Sequence, residues 1–514
     1  MVSYVYSGTV CGLESFIICV ETDASSGLPG FEMVGMLNSE VKEAKERVKV
    51  ALKNNGYPIP ALKITVNLSP ANIRKNGTKF DLPIAVSLLT AMGVVEQEKV
   101  NNILFLGELG LDGELRFVNG VLPIAIKAKE MGYKKIILPK SNAKEAAAIG
   151  GIDIIGMDNL LDALRYLTLD DKEQNYDYPP EKLNIQNMFA KNQYDYNVDF
   201  SDMNGQKELK HACLIAAAGF HHMLIVGPPG CGKTMAAKRI PTILPPLSYE
   251  ESLEVSKIYS VSGFIKEFDS LVVKRPFNSP HHTITENALS GGGNIPKPGV
   301  ISLSHRGVLF LDEAVHFDRR VLEILRQPLE DRKITISRNN GTYEYPSDFM
   351  LICAINPCPC GFFPDRNKCR CTDTQIKNYL NKMSGPILDR IDICVQTEAI
   401  DYDNLKYKND SESSESMREK IMKARVIQED RFKNSRTRFN SEMDVNEIEE
   451  YCKLDKKDEV FLEKAFRMMD LSARSYHKTL RVARTLADLD GCERIQKIHL
   501  SEALNYRLNN DFFI

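Results

Sequence analysis

Residues 227–234 have the types and spacing of a phosphate-binding loop, because Gly-Pro-Pro-Gly-Cys-Gly-Lys-Thr fits the pattern G-x-x-x-x-G-K-[ST]. The apolar run 223–226 before the loop predicts a strand, and residues 235–239 after it can open a helix. In that arrangement backbone N–H groups converge on phosphate oxygens. Lys233 would reach the β- and γ-phosphates of a nucleotide, and the Thr234 hydroxyl would hold Mg²⁺. A Gly/Pro-rich turn without a ligand is the alternative. The predicted nucleotide contacts are Gly227, Pro228, Pro229, Gly230, Cys231, Gly232, Lys233 and Thr234.

Two adjacent acids follow a second apolar run. Residues 308–311 read Val-Leu-Phe-Leu, typical of a buried strand, and Asp312 and Glu313 come next. Asp312 would hold Mg²⁺ through water, and Glu313 would polarise the water that attacks the γ-phosphate. An apolar strand that ends in Asp-Glu is common by itself. Downstream of a complete phosphate loop, it predicts an enzyme that hydrolyses ATP with Mg²⁺.

Two further polar residues have positions that suit this chemistry. Residues 349–355 predict another strand, and Asn356 at its end would contact the γ-phosphate and position the water; a turn asparagine is the alternative. Arg390 lies in Leu-Asp-Arg-Ile-Asp and would neutralise transition-state charge on the ATP of a neighbouring subunit. The alternative for Arg390 is a surface arginine paired with Asp389 or Asp392.

Four cysteines in one segment have the spacing C-x-C, eight residues, C-x-C: Cys358, Cys360, Cys369 and Cys371. Four thiolates can surround Zn²⁺ tetrahedrally at about 2.3 Å. Four free thiols, or a redox-sensitive pair, are the alternatives. Because the cluster directly follows Asn356, we expect a structural zinc that braces a loop, not a catalytic metal.

Composition limits the classes of function. The 514-residue chain is 43% apolar and 26% charged, as in ordinary globular proteins of several domains. Its net charge of −3 excludes a global basic field, so any nucleic-acid surface must be local. No run approaches the about 18 apolar residues of a membrane span, and no signal-peptide pattern opens the chain, so no membrane partner is expected. The twelve scattered cysteines favour reduced thiols in the cytoplasm.

Pattern and composition divide the chain into five segments. Residues 1–168 alternate strand-like and helix-like stretches, and residues 169–195 turn polar around a Pro-Pro pair, which predicts a linker. The nucleotide motifs occupy 196–400. A second polar linker is predicted at 401–416, and residues 417–514 show mainly helical periodicity.

Short motifs shared with one known family run nearly from end to end of the chain. Beside the phosphate loop they are 280–285, 291–293, 296–299, 301–303, 307–313, 354–361 and 384–392. In these motifs the chain resembles the magnesium-chelatase-like AAA+ family, specifically its YifB/ComM group. The resemblance implies an AAA+ P-loop core with a five-stranded parallel sheet and a C-terminal helical lid. It also implies a hexameric ring with ATP between subunits, Asn356 as first sensor and Arg390 as an arginine finger acting in trans.

The helical lid of this family carries a second sensor arginine. Residues 471–477 begin a predicted helix, and Arg474 near its start would point its guanidinium group back at the nucleotide. Arg481 is the alternate choice, and a solvated helix arginine is the alternative for each.

The N-terminal segment resembles the Lon-protease catalytic fold (ribosomal S5 domain 2-like), in residues 79–83 and 107–140. A working site there needs a serine nucleophile and a lysine base. By the matching motifs Asp81 stands where the serine would be, and Ala128 where the lysine would be. Lys127 precedes the position of the lysine base by one residue, and on a helix the side chains of adjacent residues point about 100° apart. We therefore expect a non-proteolytic domain that forms a second ring and steers DNA.

A predicted hairpin supplies candidate contacts to a polymer. Asn340-Gly341 lies between alternating segments, a strong hairpin signal before the sensor strand, where this clade places a hairpin in the central channel. Lys333, Arg338 and Lys297 become candidate DNA-phosphate contacts, or simply exposed loop residues.

These observations and the resemblance together predict a hexameric AAA+ ATPase that couples ATP hydrolysis to DNA translocation. Branch migration in recombination or natural transformation is the expected task. The alternatives are a protein-remodelling or regulatory ATPase, and a magnesium-chelatase-type motor subunit. The last would need partner subunits with a metal-ion-binding domain, which nothing in the sequence resembles.

Overall fold

The computed structural model describes residues 2–293, 296–338, 341–383, 385–398, 412–469 and 471–507. Within these ranges the chain forms an N-terminal α/β domain, a parallel-sheet core and a helical C-terminal region. The predicted fold class is confirmed. None of the helices in these ranges combines the length and the apolar character that a membrane crossing requires.

The N-terminal domain is built on a mixed sheet. Its strands are β1 (Val2–Cys11), β2 (Glu14–Ser25), β3 (Gly30–Val34), β4 (Lys63–Ser69), β5 (Ile103–Phe105), β6 (Glu108–Leu109), β7 (Leu115–Arg116), β8 (Lys135–Pro139) and β9 (Asp153–Met157). Its helices are α1 (Ser39–Asn54), α2 (Asp81–Ala91), α3 (Gln97–Val100), α4 (Val121–Glu130), α5 (Ala143–Ala147) and α6 (Leu160–Thr168). Seven strands pair in the order β3-β4-β2-β1-β5-β8-β9. Every residue of α2 is buried, which explains why most of its side chains are apolar.

Two short helices lie within residues 169–195, where composition predicts a linker: α7 (Asp171–Asp177) and α8 (Ile185–Asn192). The polar residues that suggest a linker act partly as helix caps. The Asp170 side chain accepts hydrogen bonds from the backbone N–H groups of Lys172 and Glu173. The segment is therefore structured and packs against the N-terminal domain through Met188 and Phe189.

The core is a parallel sheet with helices on both faces. Its elements are α9 (Lys207–Gly219), β10 (Met223–Val226), α10 (Lys233–Ile243), α11 (Tyr249–Ser262), β11 (Phe277–Asn278), α12 (Glu286–Ser290), β12 (Gly291–Gly292), β13 (Lys297–Pro298), α13 (Val300–Leu303), β14 (Val308–Leu311), α14 (Arg319–Ile324), α15 (Arg326–Asp331), β15 (Lys333–Arg338), β16 (Gly341–Pro346), β17 (Met350–Ile355), α16 (Asp373–Leu380), α17 (Gly385–Leu388) and β18 (Ile393–Gln396). Five parallel strands pair in the order β11-β14-β17-β10-β18. Because all run in one direction, their carboxyl ends share one edge of the sheet and their amino ends the other.

Within its described residues the C-terminal region forms a lid of five helices: α18 (Ser414–Arg431), α19 (Val445–Tyr451), α20 (Lys456–Met468), α21 (Ala473–Leu489) and α22 (Lys497–Asn505). Helix α18 begins inside the linker predicted at 401–416, because the Ser413 side chain caps it by accepting from the N–H of Ser416. Residues 399–411, which hold most of that linker, and residues 508–514 lie outside the described ranges. The lid shares its apolar core with α9 and α10.

Candidate nucleotide-binding site

The phosphate loop, residues 227–234, connects β10 to α10 as the sequence predicts. Gly230 and Gly232 have φ of 78° and 92°, a left-handed conformation that glycine adopts without strain. Lys233 Nζ donates to the carbonyl oxygens of Gly227 at 2.7 Å and Pro228 at 2.9 Å. It also donates to Asn356 Oδ1 at 3.1 Å. Burial lowers the pKa of Lys233. The ammonium group therefore lies between the loop and the predicted sensor asparagine, where phosphate oxygens would compete for its hydrogen bonds.

The two predicted magnesium ligands are in direct contact. Thr234 Oγ1 donates to Asp312 Oδ2 at 2.7 Å, and Asp312 Oδ1 accepts from the N–H of Glu313 at 3.0 Å. Glu313 is exposed in a left-handed conformation with φ of 50°, unusual for a residue other than glycine. A hydroxyl and a carboxylate are the hard oxygen donors that Mg²⁺ prefers, so this pair fits the ion. The αL turn directs Glu313 out of the strand and into solvent beside the pair.

The carboxyl edge of the core sheet assembles this site. The phosphate loop follows β10, Asp312 follows β14 and Asn356 follows β17, and these three strands are neighbours in the sheet. The edge thereby brings Lys233, Thr234, Asp312 and Asn356 together, although they are up to 123 residues apart in sequence.

One contact of the phosphate loop was not predicted. Thr397, just after β18, has its Oγ1 at 2.8 Å from Cys231 Sγ. A Cβ added at Gly227 would lie 1.9 Å from the same oxygen, so the first glycine of the loop is required by close approach. The sequence feature that could have predicted this contact is the position of Thr397 directly after the last apolar strand of the core.

The four predicted zinc ligands lie together in the cysteine loop, residues 358–371. All four sulfur atoms are within 4.8 Å of one another. Cys358 Sγ is 3.3 Å from Cys360 Sγ and 3.7 Å from Cys369 Sγ, and the Cys360–Cys369 separation is 3.6 Å. A zinc tetrahedron with bonds of about 2.3 Å has sulfur–sulfur edges of about 3.8 Å. The donor set therefore fits Zn²⁺.

Arg390 lies at the opposite edge of the core sheet from the phosphate loop. It precedes β18 by three residues and so stands at the amino ends of the strands. Its Nη1 donates to the carbonyl oxygen of Pro386, and its Nη2 pairs with Glu330 Oε1. Arg390 is 8% exposed, and burial lowers its pKa, with further lowering by Arg474. We call this edge, with Arg390 and Arg474, the arginine edge.

Arg474 lies beside Arg390 and not beside the phosphate loop. Its Nη2 is 3.5 Å from Glu330 Oε1, and its Nη1 is 3.8 Å from Asp389 Oδ2. Arg481, the alternate, lies on the same helix, donates to the carbonyl oxygen of Met443 and lines the same cavity of about 420 Å³. The sequence predicts that the Arg474 guanidinium group points back at the nucleotide bound by its own chain. The lid instead packs α21 against the start of β18, where Lys478 Nζ donates to the Ile391 carbonyl at 2.8 Å.

The positions of the Lon-like nucleophile and base hold an ion pair and an apolar side chain. Asp81 is fully buried and accepts from Arg47 Nε at 2.7 Å and Nη2 at 2.9 Å. Burial raises the pKa of Asp81 to about 6, against the hydrogen bond from Arg47. Ala128 is buried, and Lys127 pairs with Glu130 at the surface. These contacts support the prediction of a non-proteolytic domain.

Two hairpins of the core lie side by side. Tyr345 Oη of the β15–β16 hairpin donates to the carbonyl oxygen of Pro296 at 2.7 Å, next to the β12–β13 hairpin. Lys333 pairs with Glu344 at 2.9 Å on the surface, and Lys297 is exposed. Asn340 of the predicted Asn340-Gly341 turn lies outside the described residues, as do residues 339 and 294–295. The basic residues proposed for polymer binding therefore occupy adjacent hairpins.

Comparison with known proteins agrees with these motifs. Family models described as "Magnesium chelatase, subunit ChlI", "Subunit ChlI of Mg-chelatase" and "Magnesium chelatase, subunit ChlI C-terminal" match residues 199–405, 20–142 and 411–507. The chain is 41% identical over 505 residues to Competence protein ComM of Haemophilus influenzae, covering 98% of this chain and 97% of the relative. The chain belongs to the YifB/ComM group of magnesium-chelatase-like AAA+ proteins. It is also 40% identical over 506 residues to protein YifB of Escherichia coli, with 98% and 97% covered.

Membership of this AAA+ group indicates an ATPase. A more distant similarity runs to Lon protease 2 of Bacillus subtilis, 26% over 227 residues, which covers 39% of this chain and 41% of the relative. The similarity agrees with the Lon-like fold predicted from residues 79–83 and 107–140 of this chain.

Proposed function

We propose that this chain is a hexameric ATPase that couples ATP hydrolysis to movement along DNA, with branch migration in recombination or natural transformation as its task. The observation that carries the proposal is the distribution of charged groups over the core sheet. Lys233, Thr234 and Asp312 share one edge, whereas Arg390 and Arg474 share the other. Each protomer would thus supply half of one ATP site and the complementary half of the next.

In this proposal each residue has a defined task. The phosphate loop and Lys233 bind the ATP phosphates, and Thr234 and Asp312 hold Mg²⁺, which neutralises phosphate charge when bound. Glu313 orients the attacking water and takes its proton, helped by the Asn356 amide. The reaction breaks the bond between the γ-phosphorus and the bridging oxygen and leaves ADP and phosphate.

Arg390 would neutralise the charge that develops on the ATP of the adjacent protomer. Because Arg474 lies beside Arg390, we propose that it also serves the adjacent nucleotide and not the one bound by its own chain. Arg481 of the same cavity is the second choice for that contact.

The DNA part of the proposal is supported by the paired hairpins and by the relatives. Lys297, Lys333 and Arg338 would face the backbone of a strand in the channel of the ring. A relative that covers nearly the full chain is named a competence protein, and competence is the capacity to take up DNA. We further propose a structural Zn²⁺ in the cysteine loop and a cytoplasmic location, which suits twelve cysteines without disulfides.

The test compares wild type, Glu313→Gln and the exposed control Glu267→Gln. Single-stranded DNA should raise the ATPase rate of wild type and of Glu267→Gln. Both should move a synthetic four-way junction with ATP, whereas Glu313→Gln should bind ATP and move nothing. Junction migration by Glu313→Gln at the wild-type rate would remove hydrolysis from the mechanism.

A protein-remodelling ATPase is the second candidate, favoured by the similarity to Lon protease 2. The same ATPase assay separates the two. Stimulation by an unfolded protein and not by DNA would select the remodelling function.

A further inference from the structure

Glu330 occupies the junction between the arginine edge and the β15–β16 hairpin. It is the fifth residue of α15, which ends at Asp331, and β15 begins at Lys333. Glu330 lines two cavities. One, of about 420 Å³, holds Arg390, Arg474 and Arg481, and the other, of about 600 Å³, is bordered by the hairpin. A single side chain therefore borders both the predicted trans site and the predicted polymer-binding element.

One carboxylate oxygen holds both arginines in the isolated protomer. Glu330 Oε1 pairs with Arg390 Nη2 and lies 3.5 Å from Arg474 Nη2. Arg390 Nε is buried and has no hydrogen-bond partner in the described part of the chain. The hydrogen-bonding capacity of the Arg390 guanidinium is thus incompletely used within the described residues.

A second ion pair fixes the root of the hairpin to the lid. Arg332 Nη1 lies 3.3 Å from Glu442 Oε2, and the Arg332 carbonyl accepts from the N–H of Ser347 at 2.9 Å. Both residues that flank Asp331 are therefore held by charged side chains outside the hairpin. Glu330 is three residues before Lys333, the first residue of β15, so a movement of Glu330 at the arginine edge is transmitted to β15 through the backbone.

We propose that Glu330 is a positioning residue that couples the ATP state of the neighbouring protomer to the β15–β16 hairpin. The proposal rests on the trans role of Arg390 proposed above. In the free state Glu330 Oε1 lies against Nη2 of Arg390 and Nη2 of Arg474. A γ-phosphate from the adjacent protomer competes for the same N–H groups, and its capture releases Glu330 together with the root of the hairpin.

The strengths of the two competing interactions permit this exchange. The Glu330 and Arg474 side chains are 44% and 53% exposed, so water screens their pair and weakens it. Bidentate arginine–phosphate contacts in a site that excludes water are stronger. The nucleotide therefore displaces Glu330 from the arginines, and loss of the phosphate lets Glu330 return.

The test uses the full chain and measures ATPase rates with and without single-stranded DNA. Glu330→Gln should raise the basal rate about threefold, because the arginines are freed, and should bring the ratio of DNA-stimulated to basal rate close to one. Glu330→Asp keeps the charge but is too short to hold both arginines, and it should change both quantities in the same direction. Asp331→Asn, the adjacent exposed acid, is the control and should behave as wild type.

The outcomes separate this inference from the proposed function. Thermal melting identifies any variant that is merely unstable, and the stimulation ratio does not respond to a uniform loss of folded protein. A Glu330→Gln enzyme with the wild-type basal rate and the wild-type stimulation ratio would overturn the inference. The proposed function would still stand in that case, provided that Arg390→Ala is inactive and that DNA stimulates wild type. If DNA fails to stimulate wild type and Arg390→Ala retains full activity, the proposed function itself falls.

Discussion

Gly361 of the cysteine loop lies directly against the ring of Pro229 in the phosphate loop. A Cβ added at Gly361 would lie 2.5 Å from Pro229 Cδ and 2.9 Å from Pro229 Cγ. Gly361 has φ of 84°, and it follows Cys360, one of the four clustered cysteines. The proposed zinc site and the proposed ATP site are therefore in van der Waals contact, and a disturbance of one reaches the other without any intervening element.

Removal of zinc should weaken ATP binding. We expect about one zinc per chain by elemental analysis of the purified protein. Cys358→Ser should lose the metal and raise KM for ATP, because the cysteine loop no longer supports Pro229. Cys492→Ser, a cysteine in the lid, serves as control and should keep both. A wild-type protein with zinc far below one per chain contradicts the prediction.

A side chain at Gly361 should have a similar effect with zinc still bound. Gly361→Ala introduces the contact with Pro229, and overpacking of this kind costs about 1–3 kcal/mol, so KM for ATP should rise about tenfold. Gly132→Ala is a matched control, because Gly132 has φ of 82° and a Cβ there meets nothing within 4 Å. The two variants share the backbone strain but only one has the contact. Equal KM values in both would exclude the steric coupling.

Sequence reasoning predicts the parts of the site that local pattern encodes. The phosphate loop follows a four-residue apolar strand, and Asp312 and Asn356 each end another, so the carboxyl edge follows from parallel pairing alone. The Asn-Gly signal likewise predicts the paired strands β15 and β16. Arg474 is a different case. Helical spacing places it on α21, but the edge of the sheet on which a lid packs depends on tertiary contacts such as Lys478 with Ile391.

Mixing two inactive variants should restore ATP hydrolysis. Arg390→Ala should lower the rate about a thousandfold or more, the scale of an arginine finger, and Lys233→Ala should abolish ATP binding. In a mixed ring, some interfaces combine the intact phosphate loop of one protomer with the intact Arg390 of the other. An equimolar mixture should therefore recover a measurable fraction of wild-type activity.

The control for the mixing experiment is Arg467→Ala, which removes a surface arginine paired with Glu463. That variant should be fully active alone. A mixture as inactive as its components would show that Arg390 and Lys233 act within one protomer.

Acid should destabilise the protein through His222. This residue is half-buried and lines the cavity of about 420 Å³ that holds Arg390 and Arg474, and its Nδ1 accepts from the N–H of Leu351 at 3.1 Å. Burial lowers the pKa of His222 to about 4, against about 6.5 in the unfolded chain. As pH falls from 6.5 to 4, the unfolded state binds a proton that the native state excludes. The free energy of unfolding should therefore fall by up to about 3 kcal/mol in that window.

His222→Asn should keep an acceptor for Leu351 but remove this titration. Denaturant unfolding between pH 7 and pH 4 would measure the difference. We expect the variant to lose less stability than wild type on acidification, because its amide does not ionise. Parallel pH profiles for the two proteins would assign the acid sensitivity to other groups.

The opposed edges of the core sheet give the protomer a direction. Two copies related by a two-fold axis through the arginine edge would bring Arg390 against Arg390 and leave both phosphate loops facing water. Only a head-to-tail contact joins unlike edges, and contacts of that kind either close into a ring or continue as a filament. An open string of such protomers always leaves one terminal phosphate loop without a neighbouring Arg390, and closure into a ring completes that last site. Turnover per chain should therefore depend on protein concentration.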